Sequence, residues 1–260
     1  MQVQPSIALS RFIRHYLFLD LAEVSSRKLR LFSDGSTGIV LNSRPNLFLG
    51  SLPLPEAFFY GQITEYKEIC CQGPARLVII VFHPHGFHRL LNVPASELNN
   101  KVVPLADLFG AAARVLQRAV ATADTVSMKT SELERFFLTM AGSDEPADPL
   151  VTTALELIKQ HKGAISIQGL ADIIGCHSRQ LERKFNMVVG LSPKQYSKII
   201  RTMGFVKSLA SASRNLTGSA YDSGYYDQAH LIREFKKMTG LTPSQYLRRS
   251  GSLALNFLQL

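Results

Sequence analysis

Up to about residue 95 the chain alternates short apolar runs with Gly, Pro, Asn and Ser; residues 37–42 (TGIVLN), 46–49 (NLFL), 57–60 (AFFY) and 77–82 (LVIIVF) are the clearest. Apolar runs of that length between turn formers predict strands. From residue 105 to 140 the spacing becomes helical, with Leu108, Ala112, Val115 and Leu116 on one stripe and Leu133, Phe136, Phe137 and Met140 on another. The second stripe suits the helix's own core face, and less well a seam between two copies. Residues 1–140 therefore predict a mostly β, barrel-like α+β domain with two closing helices. Residues 141–149 (AGSDEPADP) are acidic, hold two prolines and predict a linker.

Everything after the linker reads as helix, predicting an all-α domain over residues 150–252 and a tail over 253–260. Val151, Leu155 and Ile158 form the first buried stripe, and Gly163 can end that helix. A short helix around 167–174, a break at Gly175-Cys176 and a helix over 178–188 follow. Ser192-Pro193 then supplies an N-cap and a first-turn proline for a long helix to about residue 209. The text then repeats. QLERKFNMVVGLSPKQY (180–196) and HLIREFKKMTGLTPSQY (230–246) share eight of seventeen residues, namely Leu181/Leu231, Arg183/Arg233, Phe185/Phe235, Gly190/Gly240, Leu191/Leu241, Pro193/Pro243, Gln195/Gln245 and Tyr196/Tyr246. Short helix, glycine turn and second helix occur twice, over about 166–188 and 217–239. That unit is the helix-turn-helix, whose second helix enters the DNA major groove.

Charge sharpens this reading. The formal net charge is +9; residues 150–260 hold 15 Lys/Arg against 6 Asp/Glu, whereas residues 1–149 hold 14 of each. The whole surplus lies where the repeat lies, which points to a polyanionic partner for that part. A merely solvated surface would explain charge but not its segregation. On the first reading helix Leu181, Phe185 and Val188 share a core face, and Arg179 and Arg183 lead the opposite one, flanked by Gln180, Glu182 and Asn186. Arg can bind guanine through two hydrogen bonds and Gln can bind adenine. On the second helix Leu231, Phe235 and Met238 are core; Gln228, His230 and Arg233 remain as hydrogen-bonding groups, with Ala229 and Ile232 in place of Arg179 and Glu182. The first copy is therefore expected to carry more of the sequence discrimination. His177 before the first helix, Ser178 at its start, Asp227 at the start of the second, and Lys236 on it complete the candidate contact set. The helix over 193–209 is about 25 Å long at ~1.5 Å per residue. That can set two readers roughly one DNA turn, ~34 Å, apart.

Residues 150–250 resemble the DNA-binding domain of the AraC/XylS family of bacterial transcription regulators, through LADIIGCHSRQLERKF, GLSPKQY and GYYDQAHLIREFKKMTGLTPSQY. The resemblance implies seven helices with two helix-turn-helix units on adjacent major-groove segments of promoter DNA. Departures are Gly218 and Ser219, the latter where the first copy has Leu170, and Ala229 in place of a small polar residue. FSDGSTGIVLN (32–42) and residues 81–110 are more faintly similar to the sensory domain of one branch of these regulators. That implies a β-barrel-like domain for a small-molecule effector. RNA polymerase and a second copy of the chain are further candidate partners.

Other chemistry is sparse. His83, His85 and His88 are the one cluster dense enough to ligate a metal, if residues 83–85 continue a strand; a strand end with a Pro-Gly turn is the plainer reading. Cys70 and Cys71 would face opposite sides of a strand, and with Cys176 they make an odd count that excludes a disulfide framework. Phe58, Phe59 and Tyr60 could line an apolar pocket or fill a core. No phosphate loop, nucleophile elbow or paired carboxylate stands out, so neither an enzyme nor a cofactor is expected. A DNA-repair alkyl transferase fused to such a domain would need a zinc-binding cysteine cluster. Apolar runs too short to span a bilayer and a start unlike a signal peptide make the cytoplasm the expected compartment. The alternative from another class is a ligand- or partner-binding protein whose helical domain does not read DNA.

Overall fold

The computed structural model describes residues 1–21, 27–141, 147–210, 228–248, 252–254 and 257–259. The first half is built on two six-stranded antiparallel sheets. One contains β1 (Gln2–Val3), β2 (Ile13–Leu21), β4 (Thr37–Asn42), β7 (Ala57–Tyr60), β9 (Ala75–Phe82) and β10 (Val102–Pro104), in the order β1-β2-β9-β4-β7-β10. The other contains β3 (Arg27–Leu31), β5 (Leu47–Leu49), β6 (Leu52–Pro53), β8 (Lys67–Cys71), β11 (Ser252–Ala254) and β12 (Phe257–Gln259), in the order β11-β12-β3-β8-β5-β6. The expected barrel is therefore corrected to two separate sheets.

The unbroken apolar run of β9 has a simple cause. Its alternate residues face opposite sides, and both sides are covered. Val78, Ile80 and Phe82 join the core beneath the helices, while Leu77, Ile79 and Val81 face the second sheet. The neighbouring strand β4 divides likewise, Ile39 and Leu41 from Val40. Helices α1 (Gly86–Leu91), α2 (Leu105–Phe109), α3 (Ala111–Thr122) and α4 (Val126–Met140) supply the outer layer. On α4, Leu133 and Phe137 are fully buried and Phe136 and Met140 pack beside them, so that stripe is its own core face. The stripe expected through Leu108, Ala112, Val115 and Leu116 is not one face. The chain breaks at Gly110 between α2 and α3, the phase restarts, and α3 buries Ala113, Leu116 and Val120 while Val115 is 68% exposed.

The second half is helical: α5 (Pro149–Gln160), α6 (Ile167–Ile174), α7 (Ser178–Val189), α8 (Pro193–Ala210), α9 (Gln228–Thr239) and α10 (Pro243–Leu247). The expected linker ends earlier than its composition suggests. The Asp148 carboxylate accepts from Leu150 N at 3.0 Å and caps α5, and it also takes the Lys184 ammonium of α7 at 2.7 Å. Burial alone would raise its pKa, but Lys184 and the backbone donors hold it below the ordinary carboxylate value. The helical core runs through Leu155, Leu181, Phe185, Phe205, Leu231 and Phe235, and it also contains Phe32 from the strand-rich half. Within the expected tail, β12 pairs with β3, at Phe257–Leu31, Leu258–Arg30 and Gln259–Leu29, and extends the second sheet.

Candidate DNA-reading face and inter-sheet cavity

The first helix-turn-helix is assembled by local rules. Ser166 caps α6, its hydroxyl accepting from Gly169 N at 3.0 Å. Gly175 ends α6 in the left-handed region, with its own amide and that of Cys176 returning to the Ala171 carbonyl. His177 is extended and starts α7 without a side-chain cap. Leu181, Phe185, Val188 and Val189 are buried, whereas His177, Arg179, Gln180, Glu182, Arg183 and Asn186 are exposed. Ser178 is half-buried, its hydroxyl donating to Gln168 Oε1 at 3.1 Å. α7 therefore shows solvent a face of two guanidiniums and three amide or carboxyl groups.

The second copy is similar in its core and thinner on its face. Leu231, Phe235 and Met238 are buried, and Ala229, Arg233 and Lys236 are exposed. His230 is half-buried. Ile232 is also half-buried and packs on the helical core, which limits what it can offer a base. Arg233 Nε donates back to the Ala229 carbonyl at 3.3 Å. Gln228 is placed by its backbone as the first residue of α9, while Asp227 and the short helix expected over 217–223 lie outside the described residues. The repeated glutamines, unexplained by sequence reasoning, close capping boxes. Gln195 Oε1 accepts from Ser192 N at 2.9 Å while Ser192 Oγ accepts from Gln195 N at 3.2 Å; Thr242 and Gln245 do the same at 2.8 and 3.2 Å.

A second feature was not legible in the sequence. A cavity of about 930 Å³ lies between the two sheets and runs to the helical half. Its walls are apolar, with Leu29 and Leu31 from one sheet and Leu77, Ile79 and Val81 from the other. Phe58 and Tyr60 line it too, while Phe59, between them on β7, lies in the core beneath the helices, so the AFFY run serves both of its expected uses. Where the cavity meets the helices its lining turns cationic, with Lys159 and Lys162 near α5, Lys207 on α8, and Arg14 on β2. Arg14 is paired with Asp34 at 2.9 Å and donates to Ser36 Oγ at 2.9 Å. Partial burial, then Arg14 and Lys207, pull the Lys159 pKa below its ordinary value. These cations come from elements far apart in the chain, so no local spacing announces them.

The histidines do not continue the strand, although the His83 and His85 rings lie nearly parallel with centroids 6.0 Å apart. β9 ends at Phe82, so His83 follows the strand, His85 caps α1 and His88 lies within it. His83 Nε2 meets the Ser10 carbonyl at 3.1 Å and His88 Nδ1 meets that of Val93 at 2.7 Å. Burial first, with neighbouring cations, lowers the pKa of His83 and takes those of His15 and His85 to about 4. Among the described residues no three His, Cys, Asp or Glu side chains group to hold a metal. Cys71 is buried and Cys70 half-buried on β8, on opposite sides of the strand. Among the described residues no helix is long and apolar enough to cross a membrane.

Two family models match. One, described as a helix-turn-helix domain, covers residues 170–249; the other, described as a domain of unknown function (DUF6597), covers residues 1–104. Over 104 residues the chain is 28% identical to an uncharacterized HTH-type transcriptional regulator of Haemophilus influenzae, covering 40% of this chain and 35% of that protein. Over 101 residues it is 28% identical to an AraC-like transcription regulator of Streptomyces lividans, covering 38% and 33%. The chain thus aligns with about a third of the length of these relatives. Among solved structures it is similar to unsaturated-fatty-acid-bound ToxT of Vibrio cholerae, over 89% of this chain and 94% of that one, at 14% identity and a TM-score of 0.48.

Proposed function

We propose that this chain, which matches a helix-turn-helix domain model over residues 170–249, is a DNA-binding transcription regulator of the AraC type, and that it reads a specific promoter sequence through α7 and α9 under control of a small molecule held between its sheets. The observation that carries the DNA reading is the division of α7 into a buried apolar face and an exposed face bearing Arg179, Gln180, Arg183 and Asn186. A guanidinium fork fits guanine O6 and N7, and Gln fits adenine, so these side chains can discriminate bases. Lys236 and Lys237 on α9 suit phosphate contacts, which position the protein without reading sequence. α7 supplies most of the discrimination in this reading, because α9 presents Arg233 beside Ala229 and a half-buried Ile232. RNA polymerase and a second copy of the chain are the macromolecular partners it implies. The reading is not enzymatic.

The cavity supports the effector half of the proposal. About 930 Å³ is within the range of small-molecule sites, ~300–1,000 Å³. An apolar body between the sheets and an anionic head toward Lys159, Lys162 and Lys207 would satisfy both parts of the lining. The fitting ligand is therefore an amphipathic anion.

The test uses duplexes selected by the full chain from a random library. Selected duplex should bind at least about a hundredfold more tightly than unselected duplex, and log affinity should fall with log salt. Equal affinity for both, or none for either, would favour the alternative of a ligand- or partner-binding protein whose helical domain does not read DNA. For the effector, straight-chain carboxylates should raise the unfolding midpoint while the matching neutral amides should not. Stabilisation by both alike would refute the anionic-head requirement.

A further inference from the structure

The strand-rich half touches the two helix-turn-helix units at positions that the repeat makes equivalent. Gly190 ends α7 and Gly240 ends α9, both left-handed, at φ 84° and 71°. At the first, the Asn99 side-chain amide donates to the Gly190 carbonyl. At the second, Arg30 Nη1 donates to the Gly240 carbonyl at 3.0 Å and lies 3.5 Å from that of Thr239. Both contacts supply donors to helix C-terminal carbonyls, which otherwise lack partners and carry partial negative charge. Neither position has room for a side chain. A Cβ at Gly190 would stand 2.5 Å from Asn99 Oδ1, and one at Gly240 2.7 Å from the Tyr66 ring. Six residues further on in each copy the pattern recurs: Tyr196 lies against Gly35, and Tyr246 meets Phe32. The partners are unrelated to one another, yet they engage the same two positions of each unit.

Arg30 is itself held: it is 8% exposed, paired with Glu68 and stacked over Tyr66 at 4.6 Å. Arg30 and Asn99 both adjoin the cavity, since Leu29 and Leu31 flank Arg30, Asn100 follows Asn99, and all three line it. β3 and the 99–102 segment thus connect the cavity wall to both helix ends.

We propose that Asn99–Gly190 and Arg30–Gly240 form a paired latch that sets the two reading helices in one relative placement, and that occupancy of the cavity tightens or releases both catches together. This extends the effector-controlled reading to its regulation and rests on that reading for the ligand; the latch itself can be tested without DNA.

The full chain is compared with Asn99→Asp, which keeps shape but replaces the donor with an acceptor, with Arg30→Met, and with the double variant, by hydrogen–deuterium exchange. Amides over 186–192 should exchange about tenfold faster in Asn99→Asp, those over 236–242 in Arg30→Met, and both in the double variant, while β9 stays protected as in wild type. Protected β9 separates release from unfolding. Arg30→Lys retains a cationic donor and should retain most protection over 236–242; if Arg30→Met fails to fold, Asn99→Asp and Arg30→Lys decide the matter. Unchanged exchange at 186–192 in Asn99→Asp overturns the latch. A selected duplex then reads spacing. Inserting five base pairs between half-sites, about half a turn, should cost wild type at least about tenfold in affinity and the double variant less than about threefold. Equal loss overturns the spacing role. A wild type that binds no duplex, with the exchange result intact, would refute the DNA reading while supporting the latch.

Discussion

Phe32, a residue of the strand-rich half, is fully buried in the helical core, and its ring meets that of Tyr246 edge-on with centroids 6.5 Å apart at 73°. The two halves therefore share packed apolar surface, and the helical unit does not close its core alone. Phe32→Ala should cost about 3–5 kcal/mol as a deletion from a filled core. Denaturant unfolding with the midpoint unchanged would show that the halves dock without this ring.

Phe235→Ala tests the second unit from within. Its ring is fully buried, with Phe205 at 5.6 Å and Tyr246 at 5.8 Å, both near-perpendicular. The expected loss is again about 3–5 kcal/mol. Exchange should show it concentrated in α9 and α10, whereas a loss spread evenly over α5 and α6 would mean that the helical half unfolds as one unit.

Arg179→Ala and Arg183→Ala each should weaken selected duplex by about 1–3 kcal/mol and relax preference at one base position. Lys236→Ala should instead weaken selected and unselected duplex alike and reduce the salt slope by about one. Fluorescence titration at several salt concentrations separates the two patterns. An unchanged operator affinity in both arginine variants would remove α7 from the groove.

The buried histidines predict a pH dependence. His15 and His85 titrate at about 4 in the folded chain, held down chiefly by burial, then by Arg14 for His15 and by His83 for His85. Unfolded, they titrate at about 6.5, so between these values the unfolded state binds more protons. Their contribution to stability is complete above about pH 6.5, declines as pH falls toward 4, and levels off below. Chemical denaturation from about pH 7.5 to 5 should show that decline, and His85→Gln should flatten it. A variant with the same slope as wild type would place the proton uptake elsewhere.

Gly35→Ala should be worse than Gly73→Ala, although both glycines are left-handed, at φ 83° and 85°. Backbone strain is common to both, about 1–2 kcal/mol. Only at Gly35 would the new Cβ stand 2.6 Å from the buried Tyr196 ring; nothing lies within 4 Å at Gly73. The difference in unfolding midpoints isolates the inter-half contact, and equal costs would mean that Tyr196 yields freely.

Much of the helical half was legible because its signals are local. Gly175 and the Ser192-Pro193 start act within a few residues of themselves, and the separation of Phe185 from Arg183 follows from helical period alone. The strand pattern was legible too, down to the bounds of β4 and β7. Where a glycine restarted the phase, as between α2 and α3, periodicity placed Val115 inside when it lies outside. The capping role of Gln195 and Gln245 was visible as identity but not as mechanism.

By itself the sequence determined the elements, the duplication and the segregation of charge, since each depends on spacing along a single chain segment. Only the tertiary structure decided that the strands form two sheets around a cavity, that its cations converge from β2, α5 and α8, and that β12 returns to β3. It alone decided the hold of Asn99 on Gly190, 91 residues away, and of Arg30 on Gly240, 210 residues away. The physical reason is that such contacts obey no period: they arise when separately folded surfaces are packed together, and what a donor meets there depends on the whole arrangement.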